Sequence, residues 1–149
     1  MKYTEDISKR INDLLEKNYD AEKGYKKAAE IVDNTKLKQF FKEEAQNRYD
    51  FGHQLKGEIQ NFGETPDKGG STKGTMHRTW MDIKSTFTSN DEEAILNEVE
   101  KGEQAAVEEY NEVINDTTLP PTTKKILTEQ RNNVQTTLRN AKNFETILS

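Results

Sequence analysis

The sequence predicts an all-α protein: a four-helix bundle of two antiparallel hairpins, joined by a long crossover that contains a short helix. Three observations predict it. Apolar residues recur at steps of four and three along four long stretches, which gives each stretch one buried seam. Few residues separate stretch one from two, or three from four, so each pair forms a hairpin. Between stretches two and three lie residues 63–90, far more than a tight turn needs.

The 149 residues suit one domain, spanning 1–149. Only 31% is apolar and 33% is charged, and the net charge is −5. Bulk composition of that kind borders on disorder. The periodic placement of the apolar residues argues instead for a thin, well-aligned core. The chain has no cysteine, which excludes disulfides and thiolate metal sites. No run of about 20 apolar residues is present, so no membrane-spanning segment is expected. The opening "MKYTEDISKR" lacks the apolar stretch of a signal peptide. The expectation is a cytoplasmic, soluble protein. Acidic balance without a basic stripe speaks against nucleic acid as a partner.

The first helix is expected from Thr4, a candidate N-cap, to Val32. Its seam is Ile7, Ile11, Leu14, Asn18, Ala21, Tyr25, Ala28 and Val32. "DNT" at 33–35 supplies the turn. The second runs from about Lys36 to Phe62, with Leu37, Phe41, Glu44, Arg48, Phe51, Leu55, Ile59 and Phe62 along its seam. The third runs from Asp91 to Ile114, and Ser89 with Glu92 fits a capping box. Its seam is Leu96, Val99, Glu103, Ala106, Tyr110 and Val113. Pro120 and Pro121 suit the start of the fourth, whose buried face is marked by Leu127, Gln130, Val134, Leu138, Ala141 and Leu148, with Phe144 beside it. A helix of about 27 residues is about 40 Å long, so a crossover of similar length can run the whole bundle and start helix three parallel to helix two.

An internal repeat fits two related hairpins. Asn18 precedes Tyr25 by the same seven residues that separate Glu103 from Tyr110, and Tyr25 stands to Glu44 as Tyr110 stands to Glu129. Within the crossover, Met76, Trp80, Ile83 and Phe87 form the stripe of a short helix, and Trp80 is expected to anchor it against the flank of the bundle. "GGSTKGT" lacks the spacing of a phosphate-binding loop. His77 and Arg78 are candidates for contact with a ligand or partner, and His53 is expected to be exposed.

The seams carry an anomaly. Asn18, Glu44 with Arg48, Glu103, and Gln130 stand where heptad neighbours are apolar, one group on each helix. Buried polar groups are costly unless paired, so these residues form either a mutual network or a binding site. Glu44 can pair with Arg48 one turn away, and Glu103 can reach Arg48 across the bundle.

"EEAQNRYDFGHQL" and "KGEQAAVEEY" resemble the second and third helices of rubrerythrins and ferritins. Together, "NYDAEKGY", "GSTKGTMHRTWMDIK" and "EKGEQAAVEEY" resemble a bacterial four-helix-bundle family of unknown function within the ferritin-like superfamily. The resemblance implies a ferritin-like fold and raises the question of a di-iron centre, built from a Glu on two helices and Glu-x-x-His on the other two. Here those positions hold Asn18, Arg48 with Phe51, Glu103, and Gln130 with Asn133, so only one carboxylate remains. The expectation is therefore no metal and no cofactor. With no nucleophile–base set in the sequence, the expectation is also a non-enzymatic structural or interaction protein, with a stress-related role, a homodimer and an unidentified protein partner among the readings it allows. Two alternatives stay open. One is a metal-binding protein or oxidoreductase that holds iron or manganese at a shifted carboxylate site around Glu44 and Glu103. The other is a small-anion site at Arg48, or at His77 and Arg78.

Overall fold

The computed structural model describes residues 2–67, Trp80, 91–116 and 118–148. It contains four long helices: α1 (Lys2–Ile31), α2 (Thr35–Asn61), α3 (Glu92–Asp116) and α4 (Pro121–Leu148). Their ends fall within two residues of those the sequence predicts. Helix α1 begins ahead of Thr4, which therefore lies inside the first turn and is not its cap. Among the described residues no helix is long and apolar enough to cross a membrane. Ser89, His77, Arg78, Met76, Ile83 and Phe87 lie outside the described residues.

Local chemistry sets the helix ends. Asn34 caps α2, its side-chain oxygen accepting from the Leu37 amide at 3.0 Å. The carboxyl end of α2 closes with Gly63 at φ 80°. The Gly63 amide donates to Gln60 (2.9 Å) and the Glu64 amide to Ile59 (3.1 Å), the paired bonds of a Schellman cap. A left-handed residue is needed there, and glycine carries no Cβ to oppose it.

Packing is closest within each hairpin, α1 with α2 and α3 with α4. The hairpins meet along α1–α3 and α2–α4, which leaves α1 diagonal to α4. Glu92, at the start of α3, accepts from the amides of Asp33 (2.9 Å) and Asn34 (2.8 Å) in the first turn. At the other end, the Tyr3 hydroxyl donates to the Thr118 carbonyl between α3 and α4 (2.8 Å). Helix α3 is thus antiparallel to α1 and parallel to α2, as a full-length crossover requires. The crossover sets out along α1. Asn12 bonds Thr65 and Asp67, and Tyr19 donates to the Asp67 carbonyl at 3.1 Å.

The seams become the core. Every seam residue expected on α1 and α3 is buried, as are Leu37, Phe41, Leu55 and Ile59 of α2. On α4, Leu127, Val134 and Ala141 are buried, but Leu138 is only half-buried and Thr137 takes the inward position. The strict alternation of four and three runs 123, 127, 130, 134, 137, 141. The sequence reading departed from it in favour of the more apolar side chain.

Candidate functional site

The anomalous seam residues meet at the centre of the bundle. Arg48, on α2, is 2% exposed, and Glu103, on α3, is fully buried. They form a buried ion pair through Arg48 Nη2 and Glu103 Oε1. Each charge has a further partner. Arg48 Nη1 donates to Asn18 Oδ1 (3.2 Å), and the Tyr25 hydroxyl donates to Glu103 Oε2 (2.9 Å). Asn18 Nδ2 donates to the Tyr110 hydroxyl (3.0 Å) and to the Leu14 carbonyl (2.9 Å). Tyr110 donates to Gln130 Oε1 (2.7 Å). Gln130 Nε2 in turn donates to Gln54 Oε1 (2.9 Å) and to the Phe51 carbonyl (3.3 Å). One connected layer therefore joins all four helices. The seven-residue repeat produces its crosswise form. Tyr25 of the first hairpin meets Glu103 of the second, and Tyr110 of the second meets Asn18 of the first.

Glu44 is buried but turns elsewhere. Its Oε1 accepts from Thr137 of α4 (2.8 Å) and Asn47 (3.3 Å), and among the described residues it forms no ion pair with Arg48. The equivalence drawn between Glu44 and Glu129 does not extend to burial, because Glu129 is exposed. Sequence reasoning also passed over Glu58, which accepts from Thr123 at 2.6 Å. Glu44–Thr137, Phe51–Gln130 and Glu58–Thr123 make a ladder between α2 and α4 with one rung every seven residues. The heptad spacing itself was the signal that would have found it.

Burial governs the electrostatics. Desolvation pushes the Glu103 carboxyl up, and Glu44 adds to the push. Arg48 and the Tyr25 hydroxyl pull it down without reversing the direction. Burial pulls Arg48 down, but Glu103, Tyr25 and Tyr110 together raise it, so the guanidinium stays cationic. Desolvation, with the Glu103 charge next, raises Tyr25 well above its ordinary range. Desolvation likewise takes Tyr110 from 10.0 to about 12, against the pull of Arg48. At neutral pH both phenols are hydrogen-bond donors.

Trp80 seals one side of this layer. It is 2% exposed and inserts between α1 and α3, with its ring centroid 5.0 Å from that of Tyr25. The helices can take it because each presents a glycine. A Cβ on Gly24 would come 2.3 Å from Trp80 Cε3, and one on Gly102 would come 2.7 Å from Cζ2. The sequence reading placed Trp80 on the bundle flank but did not name the two glycines that admit it. The cost of glycine inside a helix was the available clue. His53 is exposed, stacked on Tyr49 at 6.3 Å between centroids.

Comparison with known proteins supports this architecture. A dodecameric thioferritin, the bacterioferritin-related protein of Bacteroides fragilis, superposes with a TM-score of 0.79 at 17% identity, over 97% of this chain and 87% of that one. The Dps protein of Mycobacterium smegmatis superposes with a TM-score of 0.71 at 13% identity, over 94% and 86% of the two chains. The fold is thus a ferritin-like four-helix bundle. A search of curated proteins finds no match. The family profile described as "Domain of unknown function (DUF2383)" matches residues 6–116, so the chain, with its crosswise tyrosines and interior ion pair, belongs to that family.

Proposed function

We propose that this chain is a non-enzymatic ferritin-like protein in which a salt-bridged hydrogen-bond layer stands where a metal centre would otherwise sit, and that it acts as a self-associating structural or protein-interaction module. The observation that carries the reading is the Arg48–Glu103 ion pair. Both oxygens of the fully buried Glu103 carboxylate are engaged, one by a guanidinium and the other by a phenol. A ferritin-type di-iron centre needs several carboxylates and imidazoles free to donate. Here the donor set is Asn18, Gln130, two neutral phenols and a fixed cation, and a cation repels metal ions by its own charge. The residues do not fit such a centre. Glu44, the other carboxylate of the shifted-site alternative, is held by Thr137 and Asn47. Among the described residues no three His, Cys, Asp or Glu side chains cluster to hold an ion. An added anion at Arg48 would have to displace Glu103. Self-association is supported by the dodecameric state of the thioferritin neighbour.

The test is elemental analysis of protein purified without chelator, combined with light scattering. The expected result is metal far below one equivalent in a particle larger than one chain. Stoichiometric iron or manganese would overturn the metal-free reading, and a monomer at all concentrations would overturn the assembly.

A further inference from the structure

Trp80 occupies a slot of definite shape. Cε3 and Cζ2 lie at opposite corners of the indole's six-membered ring. Cε3 abuts Gly24 of α1, and Cζ2 abuts Gly102 of α3. The ring is therefore clasped across its width by two helix backbones, while Tyr25 lies against it at 51°. A Cβ on either glycine would close the slot. Each glycine weakens its own helix relative to alanine, so the two mark a position where both backbones admit one flat ring. The ring's only polar atom gains nothing from these helices, because among the described residues Trp80 Nε1 is buried without a hydrogen-bond partner. The slot thus recognises the bicyclic shape and its apolar surface and makes no use of the N–H.

We infer that the cleft between Gly24 and Gly102 is a recognition site for a planar bicyclic aromatic of indole size, filled here by Trp80, and that it accepts such a molecule from solution once the Trp80 side chain is removed. A cavity lined by close-packed apolar groups and backbone is a ready receptor for the ring that shaped it.

The experiment uses the full chain carrying Trp80→Ala, with indole and indene as probes. The variant is expected to melt below the parent. Millimolar indole is expected to raise its melting temperature and leave the parent's unchanged, because binding only to the native state adds stability by mass action. Indene, which buries no unpaired donor, should bind about tenfold more tightly than indole. Adding Gly24→Val to Trp80→Ala fills the slot and should abolish both responses. If Trp80→Ala is unfolded alone, the same titration is read by circular dichroism as ligand-dependent folding. Overturning results are no stabilisation or folding at ligand saturation, an equal response from the parent, or rescue that persists with Gly24→Val.

Discussion

Arg48 and Glu103, paired and buried, depend on each other. Taking two charges out of water is costly, and their attraction offsets the cost only while both are present. Arg48→Met or Glu103→Gln alone leaves one buried charge unpaired and should cost about 3–5 kcal/mol. Arg48→Met combined with Glu103→Leu removes both charges. The Tyr25 hydroxyl and Asn18 then lose partners, at about 1 kcal/mol each. Urea melts should therefore show the double variant more stable than either single one, and an additive loss would contradict the pairing. Tyr110 gives a second test, in alkali. Its phenol is raised in the folded state from 10.0 to about 12. As pH rises past 10 the unfolded chain releases that proton first, so the stabilisation is complete below pH 10 and lost on the way through 12. Tyr110→Phe should lower stability at neutral pH by about 1–3 kcal/mol through the lost bonds to Asn18 and Gln130. It should also flatten the fall in stability between pH 10 and 12, as followed by denaturant melts across that range.

Glycine inside a helix separates packing from propensity. Alanine in place of a helix-interior glycine gains about 1 kcal/mol in propensity. At Gly57 of α2 an added Cβ meets nothing within 4 Å, so Gly57→Ala should stabilise by about that amount. At Gly24 and Gly102 the added methyl collides with the Trp80 ring, and overpacking of this kind costs about 1–3 kcal/mol. Gly24→Ala and Gly102→Ala should therefore destabilise, and the emission of the chain's one tryptophan should shift to longer wavelength as the ring is displaced. Stabilisation at all three sites would mean that Trp80 is not clasped. The elements themselves were legible in the sequence because each seam keeps its three-and-four alternation for a whole helix. The inward turn of Thr137 in place of Leu138 was not, since hydrophobicity and phase disagree there and phase prevails. Nor was the convergence of Gly24 and Gly102 on the Trp80 ring, because no local pattern relates residues that far apart in the chain.

Across the whole molecule, the layer shared by all four helices was visible in the sequence as a set of misplaced polar residues. Its wiring was not. Spacing along α2 allows Glu44 to pair with Arg48, yet Thr137 is within reach of Glu44 only once α4 has packed against α2. The ladder between α2 and α4 then behaves like a ruler with equal graduations, and such a ruler can be misread by one mark. If the second hairpin slid by seven residues, Gln130 would come opposite Glu58, Thr137 opposite the carbonyl of Phe51, and Glu103 opposite Asn18. Each of these is an acceptable hydrogen-bonding match. The misreading fails inside the bundle: Arg48 would be left facing Leu96 with no anion, Glu44 would lose Thr137 and face Phe144, and Ile95 would stand where Gly102 admits Trp80. In the variant carrying both Arg48→Met and Glu103→Leu only the first of these obstacles is gone. Its amide spectrum should therefore keep one set of resonances, as the parent's does, and a second set in slow exchange would show that the ion pair alone fixes the alignment.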